Sequence, residues 1–228
     1  MQRYPKADGT ELEIYHHGFV NASAALDWAY EHIFEPESIF VTGCSAGSVG
    51  SRIHTPYIIE NYPNTEVIQM GDSLSFVFGR PVNLSDYSDN LFPEWIPKLD
   101  NIVEDGRFWM ADYDHTIANH YPSTTFSQYN TAEDNVQVRF YTAVNPERGA
   151  ANFAQDLATH LSSIHAQAPN FRSFTRAGDM HCILPRPQLY SAEANGIRFI
   201  DWLAELAAGK DVANVQCADC LVDFGQSE

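Results

Sequence analysis

The chain has 228 residues, 44% apolar and 19% charged, which suits one ordered globular domain with a sizeable core. Thirteen basic against 30 acidic residues leave a formal net charge of -17. That balance argues against nucleic acid and anionic membrane surfaces as partners, because phosphate binding rests on Lys and Arg. The first ten residues lack the apolar core of a signal peptide, and no apolar run reaches the length of a membrane span.

In chain order, residues 22–33 carry apolar positions at helical spacing, with Asn21 or Ser23 as N-cap. An apolar strand at 38–42 leads into Gly43-Cys44-Ser45-Ala46-Gly47, and a helix follows to about Asn61, where Tyr62-Pro63-Asn64 stops it. A second strand at 65–70 ends at Gly71-Asp72-Ser73. Residues 74–121 read as a lid-like excursion from a single domain spanning 1–228, with two short helices near 86–100 and 101–106. Its Phe92, Trp95, Ile96, Leu99, Phe108 and Trp109 call for burial. A third strand at 123–129 precedes helices at about 134–143 and 148–165. A fourth strand at 171–176 runs into Gly178-Asp179-Met180-His181, and an amphipathic helix covers about 190–208, ended by Gly209. Strands separated by helices predict an α/β fold, a predominantly parallel sheet flanked by helices, with functional residues in the loops after the strands' C-terminal ends.

An apolar strand, Gly-x-Ser-x-Gly and a helix make the nucleophile elbow of α/β-hydrolases. The serine sits on a tight turn that needs glycine either side, and the following helix points its free N–H groups at the anion formed on attack. Ser45 is therefore the candidate nucleophile. A serine hydroxyl needs a base, and the base needs a carboxylate to orient it. The order Ser, acid, His makes His181 the candidate base, since it alone follows the last strand. His16, His17 and His32 precede the serine, and His54 lies in the next helix. His115 and His120 precede the third strand, while His160 and His165 fall on a surface helix. Asp134, after the third strand, is the leading acid. Asp72 is a rival, and Asp179 suits shaping the histidine turn.

The cysteines are Cys44, Cys182, Cys217 and Cys220. Sequence leaves their pairing open, but structural disulfides near the C-terminus are expected, with Cys44 a small buried filler in the elbow. With no second CxxC, a zinc site at Cys217 and Cys220 is a weak reading. Asp112, Asp114, His115 and His120 have ligand chemistry for a divalent ion, although loop clusters of this kind are more often solvated turns.

Four segments carry a family resemblance. They are Tyr15-His16-His17-Gly18-Phe19-Val20-Asn21 with Ala24-Ala25-Leu26-Asp27-Trp28, Val41-Thr42-Gly43-Cys44-Ser45-Ala46-Gly47, Tyr129-Asn130-Thr131-Ala132-Glu133-Asp134-Asn135-Val136-Gln137, and His181-Cys182-Ile183-Leu184-Pro185-Arg186-Pro187. With the tail Val215-Gln216-Cys217-Ala218-Asp219-Cys220, they make the chain resemble the pectin acetylesterase family of α/β-hydrolases. The resemblance implies a serine carboxylesterase with Ser45 as nucleophile, Asp134 as acid, His181 as base and the Ala46 N–H as an oxyanion donor. It calls for no cofactor and no metal. The implied substrate is an acetylated polysaccharide or small-molecule ester, neutral acetylated sugars being favoured by the negative charge. A lipid deacylase would need a deep apolar acyl pocket. The implied location is secreted or periplasmic.

Two departures stand out. Ser48 occupies the place of a second family glycine. The family's Gly-Gly-Gly loop, which completes the oxyanion hole, has no counterpart, so the chain reads as lacking the family's N-terminal portion. Loss of an oxyanion donor costs about 100- to 1000-fold in turnover. The alternative reading is accordingly an inactive hydrolase fragment serving as a binding module. Absent strands would also leave the Ser45 strand at an exposed sheet edge.

Overall fold

A computed structural model describes residues 2–15, 17–84, 92–218 and 220. The chain divides into two compact units, 1–36 and 37–228. In the first, β1 (Gln2–Pro5) and β2 (Glu11–Ile14) form an antiparallel hairpin, which the sequence reading did not anticipate. Its turn is fixed by Asp8, whose Oδ1 accepts hydrogen bonds from the Thr10 N–H and hydroxyl, and by Gly9 at a φ of 81°. Helix α1 (Gly18–His32) starts before residue 22, because the Asn21 N–H already bonds the His17 carbonyl. It buries none of its residues, and Val20 and Trp28 are exposed.

The second unit opens with β3 (Ser38–Cys44), α2 (Ala46–Asn61) and β4 (Glu66–Asp72). There follow β5 (Val82–Asn83), a 3-10 helix at Pro97–Ile102, β6 (Arg107–Phe108) and α3 (Met110–His120). Next come β7 (Thr125–Thr131), α4 (Asn135–Val144), α5 (Ala150–Gln167) and β8 (Phe171–Arg176). A hairpin of β9 (Glu193–Ala194) and β10 (Ile197–Arg198), helix α6 (Phe199–Ala207) and β11 (Val215–Gln216) complete it. The sheet runs β11-β8-β7-β4-β3, with every neighbouring pair parallel.

Side chains alternate across this sheet with period two, which sorts them into two cores. Phe126 and Phe171 pack with Ile117, Leu157, Leu161 and Ile164 of α3 and α5. Ile68, Met70, Tyr129 and Phe174 face the other way, onto Phe199, Trp202 and Leu206 of α6. Each such fully buried large side chain contributes about 1.5–3 kcal/mol. Helices on both faces explain why β4 and β7 are buried almost throughout. β3 is the outer strand among the described residues, and none of its side chains is fully buried.

Three expectations need correction. The long helix at 190–208 begins at Phe199, because Asn195-Gly196, both at positive φ, make the β9–β10 turn instead. A helix at 101–106 does not form. The 3-10 helix ends at Ile102, and Asp105-Gly106 turn the chain at positive φ between Glu104 and Arg107. The helix near 86–100 lies partly outside the described residues; within them, 92–96 are not helical. The excursion at 74–121 also contains α3, and although Ile96, Leu99 and Phe108 are buried, Trp95 and Trp109 stay substantially exposed. No helix among the described residues is long and apolar enough to cross a membrane.

Candidate functional site

Parallel strands bring their C-terminal ends to one edge, and the sequence-predicted residues follow β3, β7 and β8 there. Ser45 sits between β3 and α2 at φ 58° and ψ -119°, a backbone state side-chain-bearing residues seldom adopt. Its N–H bonds the Asp72 carbonyl at 2.9 Å, and its own carbonyl accepts the Ser48 N–H at 2.8 Å. The glycine requirement is physical, since a Cβ on Gly43 would overlap the Gly47 backbone. Gly71 is equally constrained, because a Cβ there would strike the Ser48 hydroxyl and the Gln128 amide. Ser48 itself is fully buried. Ala46 opens α2, so its N–H is one of the first-turn donors that a helix leaves without a partner.

Asp134 is the N-cap of α4 and has no exposed surface. Its Oδ1 accepts the N–H groups of Val136 and Gln137, each at 3.0 Å, and its Oδ2 accepts the Gln137 side-chain amide at 3.0 Å. The His181 Nδ1 lies 2.9 Å from Oδ1 and 2.8 Å from Oδ2. A carboxylate on Nδ1 selects the tautomer that carries its proton there and leaves Nε2 as the basic nitrogen.

The segment after β8 crosses the strand ends one step at a time. Its Arg176, Gly178 and Asp179 carbonyls accept the N–H groups of Ala132, Glu133 and Asn135, and the Met180 carbonyl accepts the Thr131 hydroxyl. His181 then meets Asp134. The Cys182 N–H bonds the Ser73 hydroxyl at 3.0 Å, and the N–H groups of Ile183 and Leu184 bond the Asp72 carboxylate at 2.9–3.0 Å. The crossing ends in a Cys44–Cys182 disulfide, with Cα atoms 5.7 Å apart. Cys44 is therefore no passive filler; it bonds the residue before Ser45 to the residue after His181. A His181 ring nitrogen lies within 4.8 Å of both sulfurs. The other disulfide joins Cys217 to Cys220.

Asp72 does not contact the imidazole, although the sequence made it a rival acid. Burial pushes its carboxyl above the usual range, while the Ile183 and Leu184 N–H groups and nearby His181 pull it down. Asp179 is exposed and bonds through its backbone. The sequence reading missed Ser73, Ser75 and Gln137. The buried Ser75 N–H holds the Gln137 side-chain oxygen at 2.9 Å, and the amide nitrogen of Gln137 holds Asp134. The polar run Asp72-Ser73-x-Ser75 directly after a buried strand was the available signal.

The four residues of the metal-like cluster lie on α3 rather than in a loop, and they do not share one set of partners. His115 faces Asp112 at 3.2 Å, Asp114 pairs with Arg52 at 2.7 Å, and the His120 ring lies edge-on to Tyr121. His16 lies outside the described residues. A cavity of about 350 Å³ lies between Phe76, Trp109, Arg148, Asp156 and His160, and no candidate triad residue lines it. An apolar hollow along α4 is walled by Val136, Arg139, Phe140 and Ala143, and no candidate triad residue lines it either.

No family model and no curated protein matches the chain. Solved structures do. Two crystal forms of the Wnt deacylase Notum from Drosophila superpose with TM-scores of 0.60 and 0.61 at 15% and 16% identity. They cover 88% and 94% of this chain, which spans 63% and 66% of theirs. The likeness is one of fold, and the central parallel sheet with its flanking helices is α/β-hydrolase-type.

Proposed function

We propose that the chain is a serine ester hydrolase that removes acetyl or other short acyl groups from carbohydrate or small esters. Ser45 is the nucleophile, His181 the base, Asp134 the orienting acid and the Ala46 N–H an oxyanion donor. The observation that carries this reading is the histidine paired with a fully buried carboxylate and tethered by Cys182–Cys44 to the residue beside Ser45. His181 Nε2 takes the Ser45 proton as Oγ attacks the acyl carbon, and Asp134 on Nδ1 stabilises the imidazolium. The oxyanion forms beside the α2 N-terminus. His181 then returns the proton to the departing alcohol, and water activated by the same nitrogen releases the acid.

The strongly acidic chain suits a neutral sugar better than an anionic one. Disulfides fit an exported protein of the pectin acetylesterase type. The test is p-nitrophenyl acetate hydrolysis beside a Ser45→Ala control. Serine-dependent turnover is expected. A folded chain that turns over no faster than its control overturns the esterase reading and leaves the inactive-fragment alternative.

A further inference from the structure

We infer that Asp72 is a positioning residue of this site, gripping the nucleophile elbow with its main chain and the histidine segment with its carboxylate. The inference rests on the triad reading above. Asp72 ends β4, in register with Cys44 of β3, and has no exposed surface. Its carbonyl takes the Ser45 N–H at 2.9 Å. Its Oδ1 and Oδ2 each lie 3.0 Å from the Ile183 N–H, and Oδ2 takes the Leu184 N–H at 2.9 Å.

One residue thus spans the gap between Ser45 and the two positions that follow Cys182. Ser73 extends the grip by accepting the Cys182 N–H. The disulfide links the same two segments covalently. Cys182 needs such holding because it sits at φ 58°, where a side-chain-bearing residue does not rest unaided. A buried carboxylate costs free energy unless it is fully bonded, and here it is bonded by backbone donors on the segment carrying the base. Asp134 orients the imidazole ring, whereas Asp72 fixes where along the strand ends that ring stands relative to Ser45.

The test is Asp72→Asn, which keeps the side chain's shape but turns one acceptor oxygen into a donor facing backbone N–H groups. The expected result is a kcat lower by on the order of 10- to 100-fold with KM little changed, since a displaced base weakens the transition state rather than substrate binding. Amide exchange at Ile183 and Leu184 should accelerate in the same protein. The Cys44→Ala/Cys182→Ala double variant provides a second arm. Without the disulfide, Asp72→Asn should cost more in kcat than it does in the disulfide-bonded chain, because the two ties act on the same segments.

Unchanged kcat and exchange overturn the inference, as does a loss of kcat and KM together with a general fall in melting temperature. If Asp72→Asn does not fold, Ser73→Ala decides, with reduced kcat at constant KM supporting the grip and unchanged kcat overturning it. If the unaltered chain shows no Ser45-dependent turnover, the triad reading fails by itself. Asp72 is then judged on exchange alone, and unchanged protection of Ile183 and Leu184 in Asp72→Asn overturns the grip.

Discussion

Asp134 has no exposed surface; it caps α4 just after β7, a strand buried almost throughout, and is bonded by Val136, Gln137 and His181. Ser45 follows β3, the outer strand among the described residues, whose side chains reach no more than half-burial. The candidate acid is therefore held mainly by donors of its own helix, while the candidate nucleophile is held by its tight turn and by ties to distant parts of the chain. Its turn is closed by the Gly43–Gly47 approach and the Ser48 N–H, and the distant ties are the Asp72 carbonyl and the Cys44–Cys182 disulfide. The two halves should fail differently. Damage beside Asp134 should remove the orientation of His181 with the fold intact, whereas damage beside Ser45 should also loosen the sheet edge.

The largest expected effect is on the buried half. Asp134→Asn keeps the cap on α4 but can place an amide N–H toward His181 Nδ1, favouring the wrong tautomer. Turnover should fall about 10,000-fold with little change in melting temperature. A fall under tenfold would mean that Asp134 is only a helix cap. On the exposed half, Gly43→Ala forces a Cβ into the Gly47 backbone. It should cost about 1–3 kcal/mol and on the order of 100-fold in turnover, because the elbow must open. Wild-type urea unfolding and kinetics in this variant would show that the turn tolerates the methyl.

The disulfides sharpen the same contrast through stability. Cys44–Cys182 closes a separation of 138 residues, Cys217–Cys220 one of 3. Replacing the first pair with alanine should cost about 2–4 kcal/mol in urea unfolding, and replacing the second much less, since the constraint on the unfolded chain grows with loop length. Equal losses would mean that the long disulfide does not hold the edge.

The elbow was legible in the sequence because its signal is local: a strand, two glycines around Ser45 and a helix, all within one stretch of chain. His181 and Asp134 were legible because chain order and strand ends constrain them. Cys44 was misread because pairing with Cys182 depends on the segment that crosses the sheet, which no local pattern encodes. α3 was missed because Asp114 and Thr116 lie on its buried side, blurring the apolar stripe. The buried side of α2 is polar as well, with Ser48, Ser51, Arg52 and Thr55, and only the adjoining elbow identified that helix. The Asn195-Gly196 turn signal was present and was overrun by an apparent helical period.

The polar face of α2 allows one more test of how the Ser45 side is supported. Arg52 of α2 pairs with Asp114 of α3, and His160 of α5 lies 3.8 Å from the same carboxylate, with His115 nearby. Burial drives the Asp114 pKa up to about 6 against the pull of Arg52, and drives His160 down to about 3, assisted by Arg52. Between about pH 3 and 6.5 the unfolded chain binds a proton that folded His160 refuses, so this term loses stability as pH falls. Between 3.8 and about 6 the folded chain holds a proton on Asp114 that the unfolded chain has released, so that term gains stability as pH falls. The two slopes, each about 1.4 kcal/mol per pH unit, oppose each other and nearly cancel from about pH 6 to 4. His160→Leu removes one of them. Relative to the unaltered chain, its urea-unfolding free energy should climb by about 2 kcal/mol as pH is lowered across that interval, whatever the offset at pH 6. Parallel pH curves for the two proteins would mean that His160 takes up its proton in the fold, and that α2 rests on a charged cluster rather than on a neutral histidine.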